Sequence, residues 1–143
     1  MKTSRGKSRE LALKALYEWQ LSGNSIEAIA GPLRQHFAGA DEGYFFALLN
    51  GATGEAEELE RMISPQLDRA FKSLSPIERG ILLIAAYEFL RQTEVPYRVV
   101  INEAVELAKS YGGTDGYKYV NGVLDKLASQ LRPGEFESRY DKR

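Results

Sequence analysis

No cysteine occurs in the 143 residues. That excludes disulfides, thiolate metal sites and cysteine nucleophiles together, and it is compatible with a reducing cytoplasm. Histidine is almost as scarce. His36 is the only one, and no Ser–Asp arrangement stands at a recognisable spacing from it, so it reads as a structural residue rather than a catalytic base. Neither sign of charge is in excess: 19 Lys and Arg against 20 Asp and Glu leave a formal net charge of −1. Any basic binding site must therefore be local. No run approaches the ~20 apolar residues of a membrane span. Arg9, Glu10, Lys14 and Glu18 interrupt the region where a signal peptide needs an unbroken apolar stretch. There is no G-x-x-x-x-G-K-S/T phosphate loop and no G-x-G-x-x-G after a strand. No enzyme chemistry, metal or cofactor is expected.

What remains is helical patterning. The clearest case is the last third. Ile101, Ala104, Val105 and Ala108 recur at i, i+3, i+4, i+7, and so do Val120, Val123, Leu124 and Leu127. Between these two helices lies a glycine-rich corner beginning Tyr111-Gly112-Gly113. Upstream, the pattern predicts a helix from about Ser4 to Leu21 that stops at Gly23 and buries Ala12, Ala15, Leu16 and Trp19. A second helix is expected near Ser25 to Phe37, offset or ended by Pro32. A third region, from about Asp41 to Phe71, is breakable at Gly51, Gly54 and Pro65; its Glu55, Glu57, Glu58 and Glu60 read as a solvated face. Leu74-Ser75-Pro76-Ile77-Glu78 spells a helix start. Ser75 suits the N-cap, Pro76 the first turn, and Glu78 closes a capping box. Ile81 to Leu90 is apolar nearly all round, as only a helix packed on several sides can be. Val95-Pro96 then forces a corner.

The expected fold is therefore all-α. The chain reads as a single domain over 1–134, with an N-terminal helical part over 1–74 and a C-terminal one over 75–134. A charge-alternating tail over 135–143 is expected to be poorly ordered.

Two clusters stand out against that background. Near the N-terminus, Lys2, Arg5, Lys7, Arg9 and Lys14 face a single Glu10, with Tyr17 close to the stripe of Lys7 and Lys14. At the other end, Lys118 lies between Tyr117 and Tyr119. Basic residues beside aromatic rings suit a phosphate-and-base groove. Cations at a helix start oppose its dipole, which favours a functional reading of the first cluster. Glu103 and Glu106 could form an acid–base or metal pair, but Glu106 also matches Lys109 as a surface pair. Gly113-Thr114-Asp115-Gly116 has the G-x-x-G form of a KH loop yet lacks flanking strands and carries Asp115. It reads better as a turn, with Thr114 or Asp115 capping the next helix.

Several of these segments resemble the NusB family of bacterial antitermination factors. The resemblance runs from Arg9 to Leu131. It is carried by Arg9-Glu10-Leu11-Ala12 through Ala15-Leu16-Tyr17, by Ile77-Glu78-Arg79 through Ala86-Tyr87-Glu88, by Val95-Pro96-Tyr97 through Ile101-Asn102-Glu103-Ala104, and by Lys118-Tyr119-Val120-Asn121-Gly122-Val123-Leu124-Asp125. It implies two small packed helical bundles with about six to seven helices. It implies binding of single-stranded boxA RNA from ribosomal-RNA operons together with NusE, a small-subunit ribosomal protein. It further implies action with RNA polymerase and other Nus factors in a cytoplasmic antitermination complex, without membrane or catalysis. Carried over by position, the RNA surface comprises Lys2, Arg5, Lys7, Arg9, Lys14, Tyr17, Arg98, Lys118 and Tyr119. Asp115 takes the position that limits RNA affinity, and Glu78 and Arg79 face NusE. Gly6 and Ser8 dilute what is often a dense arginine run in the family. Two alternatives share the patterning. One is a protein-only helical scaffold. The other is a relative of the RNA-binding module of ribosomal-RNA cytosine methyltransferases, which need a further α/β domain and cysteines.

Overall fold

The computed structural model describes residues 2–136. It contains α1 (Ser4–Ser22), α2 (Ile26–Leu33), α3 (Glu42–Gly54), α4 (Ala56–Ile63), α5 (Pro76–Arg91), α6 (Tyr97–Tyr111) and α7 (Gly116–Leu131). Short 3-10 turns follow α2 and α4 and precede α5. Among the described residues there is no strand, and none of the helices is long and apolar enough to cross a membrane. A helical turn over 133–136 brings the α-helical segments among the described residues to eight, one above the expected range. Glu135 and Phe136, assigned to the tail by sequence, fold back on the start of α6. The Glu135 carboxylate accepts from the Tyr97 N–H at 2.7 Å, and the Phe136 ring lies 5.5 Å from that of Tyr97. The rest of the expected tail, 137–143, lies outside the described residues.

Most boundaries follow their local signals. Thr3 accepts from the Gly6 N–H to start α1, and Gly23, at φ 70°, closes it in the left-handed conformation that glycine adopts freely. Ser25 caps α2, and Asp41 caps α3. The third region breaks at Gly54–Glu55, not at Gly51. Ser75 and Glu78 form the full reciprocal capping box of α5.

Helix α5 is the hub, packing against α1, α3, α4, α6 and α7. Its Ile81, Leu82, Leu83 and Ile84 are all buried although they point in four directions. Each such side chain contributes roughly 1.5–3 kcal/mol on burial. Gly80 lets α1 approach, since a Cβ there would sit 2.9 Å from Leu13 Cδ1. One hydrophobic core runs from α1 to α7, continuous across Leu74 and Ser75. The carbonyls ending α5 are satisfied by the buried guanidinium of Arg132, which donates to Phe89 O at 2.7 Å and to Glu88 O and Gln92 O at 3.2 Å. Helices α6 and α7 form an antiparallel hairpin. Its open end is tied by Glu135, and its closed end is the glycine corner.

Candidate nucleic-acid interface

Lys7, Glu10, Lys14 and Tyr17 succeed one another at i, i+3, i+7, i+10, and so form one stripe along α1. Lys14 is exposed and Tyr17 is 42% exposed, unusually open for a large ring. Glu10, in the middle of the stripe, accepts a hydrogen bond from the hydroxyl of Tyr111, the last residue of α6. Burial, then this bond to a carboxylate, pushes the Tyr111 phenol up to about 12. The glycine corner is thereby held against the basic stripe. Its other side meets the start of α5, where Glu78 Oε2 lies 3.5 Å from the Cβ position of Gly116.

In the corner itself Asp115 occupies the left-handed conformation, at φ 64°. Its side chain makes no capping hydrogen bond to α7, contrary to the expectation from sequence. It lies instead 3.5 Å from the Lys118 ammonium, with both side chains largely exposed. Tyr117 carries two ammoniums near its ring, Lys109 at 5.2 Å and Lys118 at 6.0 Å from the centroid. Tyr119 is half-buried. Its hydroxyl donates to Asp68 at 3.0 Å, and the Arg69 guanidinium lies 4.7 Å from its centroid. Hydrogen bonds from Arg69 and then Tyr119 hold the Asp68 carboxyl down to about 2. No strands flank the G-x-x-G segment, so the KH likeness ends there.

The N-terminal arginines behave differently from the lysines. Arg9, expected on the RNA surface, is 3% exposed and belongs to the core. It grips the buried Glu88 through Nε at 2.9 Å and Nη2 at 2.8 Å, and it reaches Glu103 at 3.3 Å. The Tyr44 hydroxyl donates to the same Glu88 carboxylate. Burial pulls the Arg9 pKa down, but the bond to Glu88 and its charge outweigh that and leave it raised. Burial, then Glu88, raises the Tyr44 phenol. Buried and turned onto two carboxylates, Arg9 is out of reach of a phosphate on the surface. Arg5 is partly spent as well, 4.2 Å above the Tyr44 ring and 3.8 Å from Asp41. Arg98 is exposed beside Tyr97.

At the start of α5, Arg79 donates to Gln20 Oε1 at 2.8 Å and to Leu74 O at 2.7 Å. It ties α1 to the segment before α5 and leaves Glu78 as the more available of the pair. Glu106 pairs with Lys109, as expected for a surface contact. His36 is exposed. Sequence reasoning missed the partners of both clusters: Glu88, Tyr44, Asp68 and Arg69. Only Glu88 carried a signal, a charge inside an otherwise apolar helix.

The model of the NusB family matches residues 6–129. The transcription antitermination protein NusB of Paraburkholderia phytofirmans is 53% identical over 140 residues, spanning 96% of this chain and 97% of that protein. The protein of the same name from Nitrosospira multiformis is 56% identical over 133 residues, 92% of this chain and 84% of its own. Among solved structures, a T. maritima NusB superposes with a TM-score of 0.83 at 29% identity, covering 96% of this chain and 99% of that one. A chain from a complex of the antitermination factors NusB and NusE with double-stranded RNA superposes with a TM-score of 0.80 at 25% identity, over 91% and 99% of the two chains.

Proposed function

The chain belongs to the NusB family, and on that premise we propose that it is a transcription antitermination factor. It binds the single-stranded boxA element of ribosomal-RNA transcripts together with NusE and helps RNA polymerase read through terminators. The observation that carries the RNA part is the Tyr111–Glu10 hydrogen bond, which sets the corner of α6 and α7 against the basic stripe of α1. Two clusters, each too small for a specific site, then make one surface. Lys2, Lys7, Lys14, Arg98 and Lys118 supply phosphate contacts, with a smaller share from the partly engaged Arg5. Tyr17 and Tyr119 are stacking platforms. Asp115 restrains binding because it neutralises Lys118. Arg9 is removed from the set and acts through the fold.

NusE docks at the start of α5. There Glu78 presents a half-exposed carboxylate, while Arg79 shapes the segment around it. The two halves, 1–74 and 75–134, act as one binding unit in a cytoplasmic complex with polymerase and other Nus factors. The protein works by binding, and no group is assigned a catalytic step.

The deciding experiment is a titration with boxA RNA and a scrambled control, with and without NusE. Preferential boxA binding that NusE strengthens is expected. Absent binding of both RNAs, with NusE binding intact, would make the chain a protein-only scaffold, and equal binding of both would leave an RNA binder without the boxA preference that the reading requires. Glu78→Gln should keep the cap and weaken NusE binding, and Glu78→Arg should weaken it further. Unchanged affinity in Glu78→Arg would move the partner surface elsewhere.

A further inference from the structure

We propose that a pocket between the 64–68 segment and α7 receives one base of the bound single-stranded RNA, and that Gln66 reads it. This rests on the RNA-binding role argued above and adds a specificity-determining residue to it. The cavity has a volume of about 290 Å³ and is lined by Gln66, Asp68, Lys118, Tyr119, Gly122 and Lys126, among others. That lies just below the roughly 300–1,000 Å³ of sites for drug-sized ligands, and it suits a single nucleobase.

Three features point to a base. Gln66 is only 9% exposed, yet its Nε2 has no acceptor among the described residues. A buried amide donor without a partner is costly to a fold unless a ligand supplies the acceptor. Base carbonyls and ring nitrogens are such acceptors. Tyr119 contributes an aromatic wall, and its hydroxyl and ring are fixed by Asp68 and Arg69. Lys118 and Lys126 both line the pocket, so that their charges are at hand for the phosphates flanking an inserted base, and Lys126 has no ion pair with any described residue. Gly122 keeps the α7 side open. Nothing lies within 4 Å of where its Cβ would be, although glycine inside a helix is less stable than alanine. The Asp68 charge, which would repel a phosphate, is engaged by Arg69 at 2.7 Å. The mixed lining, two lysines and the Gln66 amide among apolar and aromatic walls, matches a base with its flanking phosphates and favours RNA as the occupant.

The test compares the parent protein with Gln66→Leu, Gly122→Leu and Lys126→Ala. Each is titrated with boxA RNA, with a set carrying one substituted base at each position, and with homopolymer single strands. Gln66→Leu removes the orphan donor, and Gly122→Leu fills the pocket while improving helix propensity, so both variants should fold. Gln66→Leu should weaken boxA binding about three- to tenfold, the worth of one hydrogen bond, and abolish base discrimination at one position. Gly122→Leu should lose at least as much. Lys126→Ala should lower the log–log salt slope by about 0.7. Parental affinity and discrimination in both folded leucine variants would overturn the pocket and leave the antitermination reading standing. Weaker NusE binding by these variants without RNA, with RNA binding unchanged, would instead make it a protein contact and overturn the proposal. RNA binding without boxA preference, still sensitive to Gln66→Leu, would remove the antitermination reading and keep the pocket. No binding of any RNA by the parent would remove both.

Discussion

The start of α1 and the corner before α7 carry similar residue types and use them in opposite ways. At the start of α1, Arg9 is locked onto Glu88 and Glu103 inside the core, and Arg5 lies over Tyr44. At the corner, Lys118 and Lys109 are exposed, each held by a single surface carboxylate more than 3.4 Å away and by the face of Tyr117. The planar guanidinium can satisfy several fixed acceptors at once and is weakly hydrated. An ammonium is compact, strongly hydrated and costly to bury. A basic stretch therefore sorts itself on folding. Its arginines are drawn to internal carboxylates and carbonyls, as Arg79 and Arg132 also are. Its lysines Lys2 and Lys14 stay in water, where they are open to a phosphate, while Lys7 is half-buried with its ammonium against Gly39.

The largest effect should come from breaking the buried side of that comparison. Arg9→Ala leaves Glu88 buried without its counter-charge, and should cost about 3–5 kcal/mol of stability. The denaturant midpoint reads this directly. Where the variant is still folded, its salt slope for RNA should match the parent's. An unchanged midpoint with a flatter slope would place Arg9 on the RNA after all. Next in size is Tyr119→Ala, which should weaken boxA binding by about 1–3 kcal/mol at every salt concentration alike. A loss confined to low salt would mark its role as electrostatic.

Helix starts, stops and stripes were legible because each is written locally: Ser75 and Glu78 at one boundary, Gly23 at another, Val120 through Leu127 along one face. The sorting of the cations was not. Whether Arg9 points at RNA or at Glu88 depends on a contact 79 positions away, and helical periodicity says nothing about distant partners. The corner shows the same limit. Its position next to α1 depends on Tyr111 meeting Glu10 across 101 positions. Residue type made Asp115 a plausible cap, but its left-handed backbone takes the side chain to Lys118 instead.

Smaller effects sharpen the exposed side. Asp115→Asn removes the carboxylate that competes for Lys118, and asparagine tolerates the left-handed conformation. It should tighten boxA binding by up to about 1 kcal/mol, the scale of an exposed pair, and leave NusE affinity alone. Weaker RNA binding would show that the Asp115 charge itself is needed for the shape of the corner. Least conspicuous is the alkaline limit. Tyr111 titrates near 12 when folded, against about 10 for a free phenol. The raised value means that its contribution is complete below the ordinary value and is lost as pH rises through the folded one. Phenolate absorbance should therefore show a late-titrating tyrosine that Glu10→Gln shifts back. No shift would put the hydrogen bond, and the docking of the corner, in conflict with solution behaviour.

The most direct test of the shared groove is the salt dependence of boxA binding in the presence of NusE, measured for the parent, Lys14→Ala, Lys118→Ala and the double variant. Each lysine that neutralises a single-strand phosphate contributes about 0.7 to the log–log slope. The account predicts a drop of that size for each single variant and about twice that for the pair, with unchanged folding. Parental slopes and affinities in both single variants and in the double variant would contradict it.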